Sequence, residues 1–66
     1  MKKKDFKIES KIYNKNAILK AIEDFEWFSI IFKNDLITID GDNENEIDDI
    51  FNELINYIIW IQNEVF

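Results

Sequence analysis

The stretch from Asn43 to Phe66 constrains this chain more than any other, because it reads as one long helix that something must cover. Ile47, Ile50, Phe51, Leu54, Ile58, Ile61 and Val65 recur at spacings of 3, 1, 3, 4, 3 and 4, the stripe with which an α-helix buries one face. Ile55, Tyr57, Ile59, Trp60 and Phe66 lie off that stripe, so the second half of the helix is apolar nearly all round, as in a helix covered on more than one side. A chain of 66 residues makes one domain at most. The cover must come from the residues before the helix or from a partner.

Those earlier residues supply a sheet. Phe6, Ile8, Ser10 and Ile12 alternate with Lys7, Glu9, Lys11 and Tyr13, a period of two that predicts a strand over residues 5–13 with one wet face. Asn14 is a ready N-cap, and Tyr13 and Ile18 hold the positions of a hydrophobic staple, which predicts a helix over 14–26. Ile18, Ala21, Ile22 and Phe25, with Phe28 beyond them, form its apolar stripe. Folding residues 28–40 about Asn34-Asp35 places Lys33 opposite Leu36, Phe32 opposite Ile37, Ile31 opposite Thr38 and Ile30 opposite Ile39. Ile30, Phe32, Ile37 and Ile39 then share one face, which predicts a hairpin of strands 28–33 and 36–40. Gly41 reads as a flexible corner, and Asn43 with Glu46 fits a capping box opening the last helix, 43–65.

The element order is strand, helix, strand, strand, helix. Two helices whose stripes both need cover sit together on the one apolar face of the sheet. The reading is a two-layer α+β domain, β-α-β-β-α, with a three-stranded mixed sheet. The first and second strands run parallel, with the third, antiparallel to both, between them; the alternative order leaves the first strand beside the second.

Composition removes whole classes of function. The chain has no His, no Cys and no Arg, which leaves nucleophilic triads, histidine acid–base pairs and Cys- or His-based zinc sites without their residues. An EF-hand frame started at Asp40 puts Asn45 where glycine belongs and Phe51 where the bidentate glutamate belongs. The acids from Asp40 to Asp49 are better explained as partners of a helix N-terminus. No catalytic residue, cofactor or metal is expected, and the chain is read as a non-enzyme. All eight basic residues are lysines at or before Lys33, and the formal net charge is −6. Lacking arginine and a positive field, the chain is not expected to bind nucleic acid. The longest apolar run, Tyr57 to Ile61, is far short of the roughly 18–20 residues that span a bilayer. Met1-Lys2-Lys3-Lys4 is followed by Asp5, Lys7 and Glu9 in place of an apolar core, so no export signal is read and a cytoplasmic location is expected.

What remains is binding. Ile58 and Ile61 take the core-facing positions of the last helix, which turns Tyr57, Ile59, Trp60 and Phe66 outward as interface anchors for a protein or peptide partner, or for a homodimer through this helix. The first strand, at a sheet edge, offers free backbone groups flanked by Lys7, Glu9 and Lys11, where an extended peptide could add as a further strand. The same lysines also serve as ordinary edge protection. A second reading makes the acidic patch at Asp40 to Asp49 the working surface of a small inhibitor or nucleic-acid mimic in a basic groove.

The stretches KIYNKNAILKAIEDFEWFSIIF and FNELINYII together resemble HxsD-like proteins, the small accessory partners of His-Xaa-Ser radical-SAM peptide-maturation systems. The parallels are Tyr13 before the first helix, Ala17, Ile18, Ala21 and Phe25 within it, and the Asn-Glu-Leu-Ile-Asn run from Asn52 to Asn56. The resemblance implies a non-catalytic helper in the maturation of a ribosomally made peptide, binding the precursor peptide or the maturase, with the iron–sulfur and radical chemistry belonging to the other protein.

Overall fold

The computed structural model describes residues 2–9 and 11–64. The elements follow the order β1 (Lys2–Lys7), α1 (Lys15–Asp24), β2 (Ser29–Lys33), β3 (Leu36–Gly41) and α2 (Glu44–Glu64). The sheet order is β1-β3-β2, with β3 antiparallel to both neighbours. The two outer strands therefore run in the same direction without touching, and every hydrogen-bonded pair in the sheet is antiparallel.

The β2–β3 hairpin has the register that its side-chain pattern dictates, with Lys33 opposite Leu36, Phe32 opposite Ile37 and Ile30 opposite Ile39. Asn34 and Asp35 make the turn with φ of 52° and 62°, the left-handed pair of a type I′ turn whose twist matches the strands it joins. Holding Asp35 there has a conformational cost that glycine would avoid. Asp35→Gly should therefore raise stability by about 0.5–1 kcal/mol, read as an increased urea midpoint at unchanged slope.

The first strand is displaced toward the N-terminus: it covers Lys2–Lys7 rather than residues 5–13. Its length is set by its partner. Lys7 lies opposite Leu36, and Ile8 donates its N–H to the Asp35 carbonyl at 2.8 Å, so beyond Ile8 the ladder meets the hairpin turn. Ile12 and Tyr13 then donate to the Glu9 carbonyl at 3.0 and 3.1 Å, closing a turn. The alternation through Ile12 points to a longer strand, yet Ile12 is 65% exposed. At the other end a run of lysines forms strand because Lys2 and Lys3 stay exposed to water and only Lys4 has to be accommodated. Lys4 lies on the inner face, its ammonium 5.3 Å from the Phe6 ring centroid and 2.9 Å from Asp48. That hydrogen bond to Asp48 holds the Lys4 ammonium above its ordinary range.

The core lies between the inner sheet face and the two helices: Ile8, Ile37 and Ile39 from the sheet side, Ala17, Ile18 and Ala21 from α1, and Ile47, Ile50, Leu54, Ile58 and Ile61 from α2. The stripe of α2 is buried as its spacing demands, apart from Val65, which lies outside the described residues. Asn14 caps α1, its side chain accepting from Asn16 and Ala17. The helix stops at Asp24, two residues short of the expected end, because the Phe25 N–H bonds to both Ala21 and Ile22 carbonyls and the chain turns away. Asn43 caps α2 by accepting from Glu46 N–H at 2.8 Å, while the Glu46 carboxylate reaches the Asp42 N–H at 3.4 Å, one residue before the cap. Gly41 is no corner. It is the buried last residue of β3, and a Cβ there would lie 2.7 Å from Cγ1 of Ile47.

Candidate partner-binding surface

Tyr57 is half-buried where α2 passes α1. Its hydroxyl donates to Asp24 Oδ2 at 2.6 Å, and Lys20, one turn earlier on α1, reaches Asp24 Oδ1 at 3.3 Å. The Tyr57 ring lies 5.4 Å from Phe25 and 6.0 Å from Trp60, and Phe25 lies 6.1 Å from Phe28. The result is a row of four rings, Phe28, Phe25, Tyr57 and Trp60, from the turn after α1 to the second half of α2. Tyr57 and Phe25 are rooted against the core, whereas Trp60 is 56% exposed and Phe28 38%. Trp27, next to Phe28 in the same turn, is 88% exposed.

The Tyr57–Asp24 bond has a pH signature. Asp24 is held below its ordinary 3.8, first by the Tyr57 hydroxyl and then by Lys20, and Tyr57 is raised above 10.0, first by its bond to Asp24. A depressed carboxylate contributes stability at pH values above its unfolded pKa and loses it as pH falls through the folded one. A raised phenol contributes below its unfolded pKa and loses it as pH rises through the folded one. Tyr57→Phe should therefore flatten the pH dependence of the urea midpoint at both limbs, below about pH 4 and above about pH 10, and change it little between.

Of the residues singled out on α2, Tyr57 and Trp60 come together, three apart on one flank. Ile59, 38% exposed, lies on a different flank, because it stands four residues after Ile55 and shares that face instead. Phe66 lies outside the described residues. The expected strand-edge set does not form. Lys7 ends β1, while Glu9 and Lys11 sit beyond it, in the segment that the Glu9 carbonyl bends into a turn. What that segment builds is a cleft of about 370 Å³ between the end of β1 and α2, lined by Ile8, Ile12, Tyr13, Phe51 and Ile55 with Lys7, Glu9 and Asn52 at its rim. Phe51 is fixed there by stacking on Phe6 at 3.9 Å. No family model, curated protein or solved structure matches this chain.

Three of the six acids from Asp40 to Asp49 have their carboxylates engaged within the fold. Asp40 accepts from the Ser29 hydroxyl at 3.2 Å, Glu46 from the Asp42 N–H, and Asp48 from Lys4. Among the described residues there is no group of three or more acids, histidines or cysteines placed to hold a metal ion, and no helix long and apolar enough to cross a membrane.

Sequence periodicity finds Tyr57 and Trp60 because one helix carries both. It misses Phe25 and Phe28 as their companions, since Phe25 reads simply as the end of a core stripe and the ring contact depends on how α1 meets α2. Trp27 reads equally well as a lid on the core.

Proposed function

We infer that this chain is a non-catalytic accessory protein that binds a protein or peptide partner through the aromatic row, with Trp60 and Phe28 as its contacting side chains and Trp27, exposed in the same turn as Phe28, beside it. The observation that carries this reading is the row itself. Large rings left open to water, yet held by ring contacts to half-buried Phe25 and Tyr57, are pre-ordered contact area, and aromatic anchors of this kind dominate binding energy at interfaces. The absence of His, Cys and Arg argues against a catalytic role for the chain alone. The likeness to HxsD-like proteins gives the partner a chemistry: a precursor peptide or its radical-SAM maturase. Engagement of three acids of this patch, Asp40 by the Ser29 hydroxyl, Glu46 by the Asp42 N–H and Asp48 by Lys4, weighs against an acidic mimic.

The test is titration of the chain with a His-Xaa-Ser radical-SAM maturase and with its precursor peptide, followed by tryptophan fluorescence. Trp60→Ala and Trp27→Ala should each weaken the complex by more than about 1 kcal/mol, roughly fivefold or more, while Glu53→Gln, on α2 but outside the row, leaves it unchanged. An affinity untouched by either tryptophan, or a complex dissolved by salt alone, would turn the reading toward an electrostatic surface.

A further inference from the structure

β1 is one margin of the sheet, and its pairing with β3 decides which of its backbone groups are left over. Ile8 is bonded to Asp35, and along an antiparallel ladder bonded and unbonded pairs alternate. The groups turned toward β3 are therefore those of Phe6, Lys4 and Lys2, and the N–H and C=O of Lys3, Asp5 and Lys7 point outward. Their side chains stand on the uncovered face of the sheet, since the alternate residues turn inward. A row of free backbone groups is a template for another strand.

We propose that the occupant is the same strand of a second copy, antiparallel about a two-fold axis at Phe6. Symmetric pairing sets residue i against j and j against i, so each register can be judged by the charges it opposes. An axis at Asp5 puts Asp5 against Asp5 and Lys3 against Lys7. An axis at Lys7 puts Lys7 against Lys7 and Asp5 against Glu9. An axis at Lys4 pairs Lys3 with Asp5 but sets Lys4 against Lys4 on the inner face. An axis at Ile8 draws on Glu9 and Lys11, which have left the strand. The axis at Phe6 alone puts Asp5 against Lys7 twice, both residues within the strand, and joins Phe6 to Phe6 and Lys4 to Ile8 on the inner face. Like charges directly opposite destabilise a strand pair and opposite charges stabilise it, so the sequence selects this register. Among the described residues, neither Lys3 nor Lys7 has an ion-pair partner within the chain.

The dimer is a six-stranded sheet with four helices on one face. Because Phe51 of the cleft stacks on Phe6, the dimer sets the two clefts on either side of the axis. The aromatic row, on the flank of α2 toward α1, stays outside this interface, so the pairing is independent of the partner-binding reading.

Size exclusion with light scattering over a concentration series tests it. The wild-type chain should run as a dimer. Lys7→Asp and Asp5→Lys should each raise the dimer dissociation constant by about tenfold or more, with unchanged far-ultraviolet circular dichroism. Mixing the two variants should restore a heterodimer, because each supplies the charges that the other lacks. Should Asp5→Lys fail to fold, Asp5→Asn serves in its place: mixed with Lys7→Asp it keeps one Asp5–Lys7 pair and opposes no like charges. A wild-type monomer, a mixture that stays monomeric, or a dimer dissolved instead by Ile31→Lys on β2 or by Trp60→Ala would overturn the proposal.

Discussion

Leu54→Ala should cost about 2–5 kcal/mol and abolish most of the cooperative folding of this chain. Leu54 is fully buried at the middle of α2, between Ile47 and Ile50 on one side and Ile58 and Ile61 on the other, where the helix lies across the inner face of the sheet. Removing its isobutyl group forfeits transfer energy and leaves a cavity that isoleucines on three elements, branched and stiff, cannot collapse to fill. A 66-residue domain has a total stability of only about 3–10 kcal/mol, and without cysteine there is no disulfide to narrow the unfolded ensemble. The loss is therefore comparable with the whole. Ile59→Ala, on the same helix but 38% exposed, is the control and should stay within about 1 kcal/mol of wild type. Urea unfolding followed by circular dichroism separates the two. A Leu54→Ala midpoint close to that of Ile59→Ala would mean that α2 is not seated on the sheet.

The contrast between β1 and the β2–β3 hairpin explains what the sequence makes legible. The hairpin closes over two residues, so its register and inward face follow from local alternation, and Ile30, Phe32, Ile37 and Ile39 need no knowledge of the rest of the chain. The placement of β3 between the other strands is different: local alternation leaves open an order with β1 beside β2, and the pairing of β1 with β3 decides it. β1 obeys a different rule. Its ends are set by where β3 begins and ends, far away in sequence, Lys7 opposite Leu36 and Lys2 opposite Gly41, and the lysine run is strand with Asp48 and Phe6 receiving Lys4. Local alternation alone points instead to Ile12, which is left outside. The binding surface divides in the same way. Tyr57 with Trp60 is a helical spacing and can be read directly; the junction with Phe25 and Phe28 arises only when α1 and α2 cross, and Ile59, adjacent to Trp60 in sequence, belongs to another flank.

Gly41→Ala is the second large effect, and there two opposing terms decide the sign. The backbone at Gly41 is not in the left-handed region, so alanine could adopt it, and removing glycine from the unfolded chain would by itself stabilise by about 0.4–1 kcal/mol. Against that stands the 2.7 Å approach of the added Cβ to Cγ1 of Ile47. Cγ1 is attached directly to the Ile47 Cβ, not at the free end of the chain, and a β-branched side chain in a helix has essentially one good rotamer to occupy. Ile47 is itself fully buried and cannot move aside without shifting the first turns of α2 off β3. Such overpacking costs about 1–3 kcal/mol, so the clash wins and Gly41→Ala should destabilise by about 1–2 kcal/mol net. The two terms can be separated by a double-mutant cycle. With Ile47→Ala already in place, at its own cost of about 2–5 kcal/mol, the obstructing carbon is gone and Gly41→Ala should become neutral or stabilising. If Gly41→Ala destabilises equally in both backgrounds, the demand for glycine comes from the backbone and not from the approach of α2.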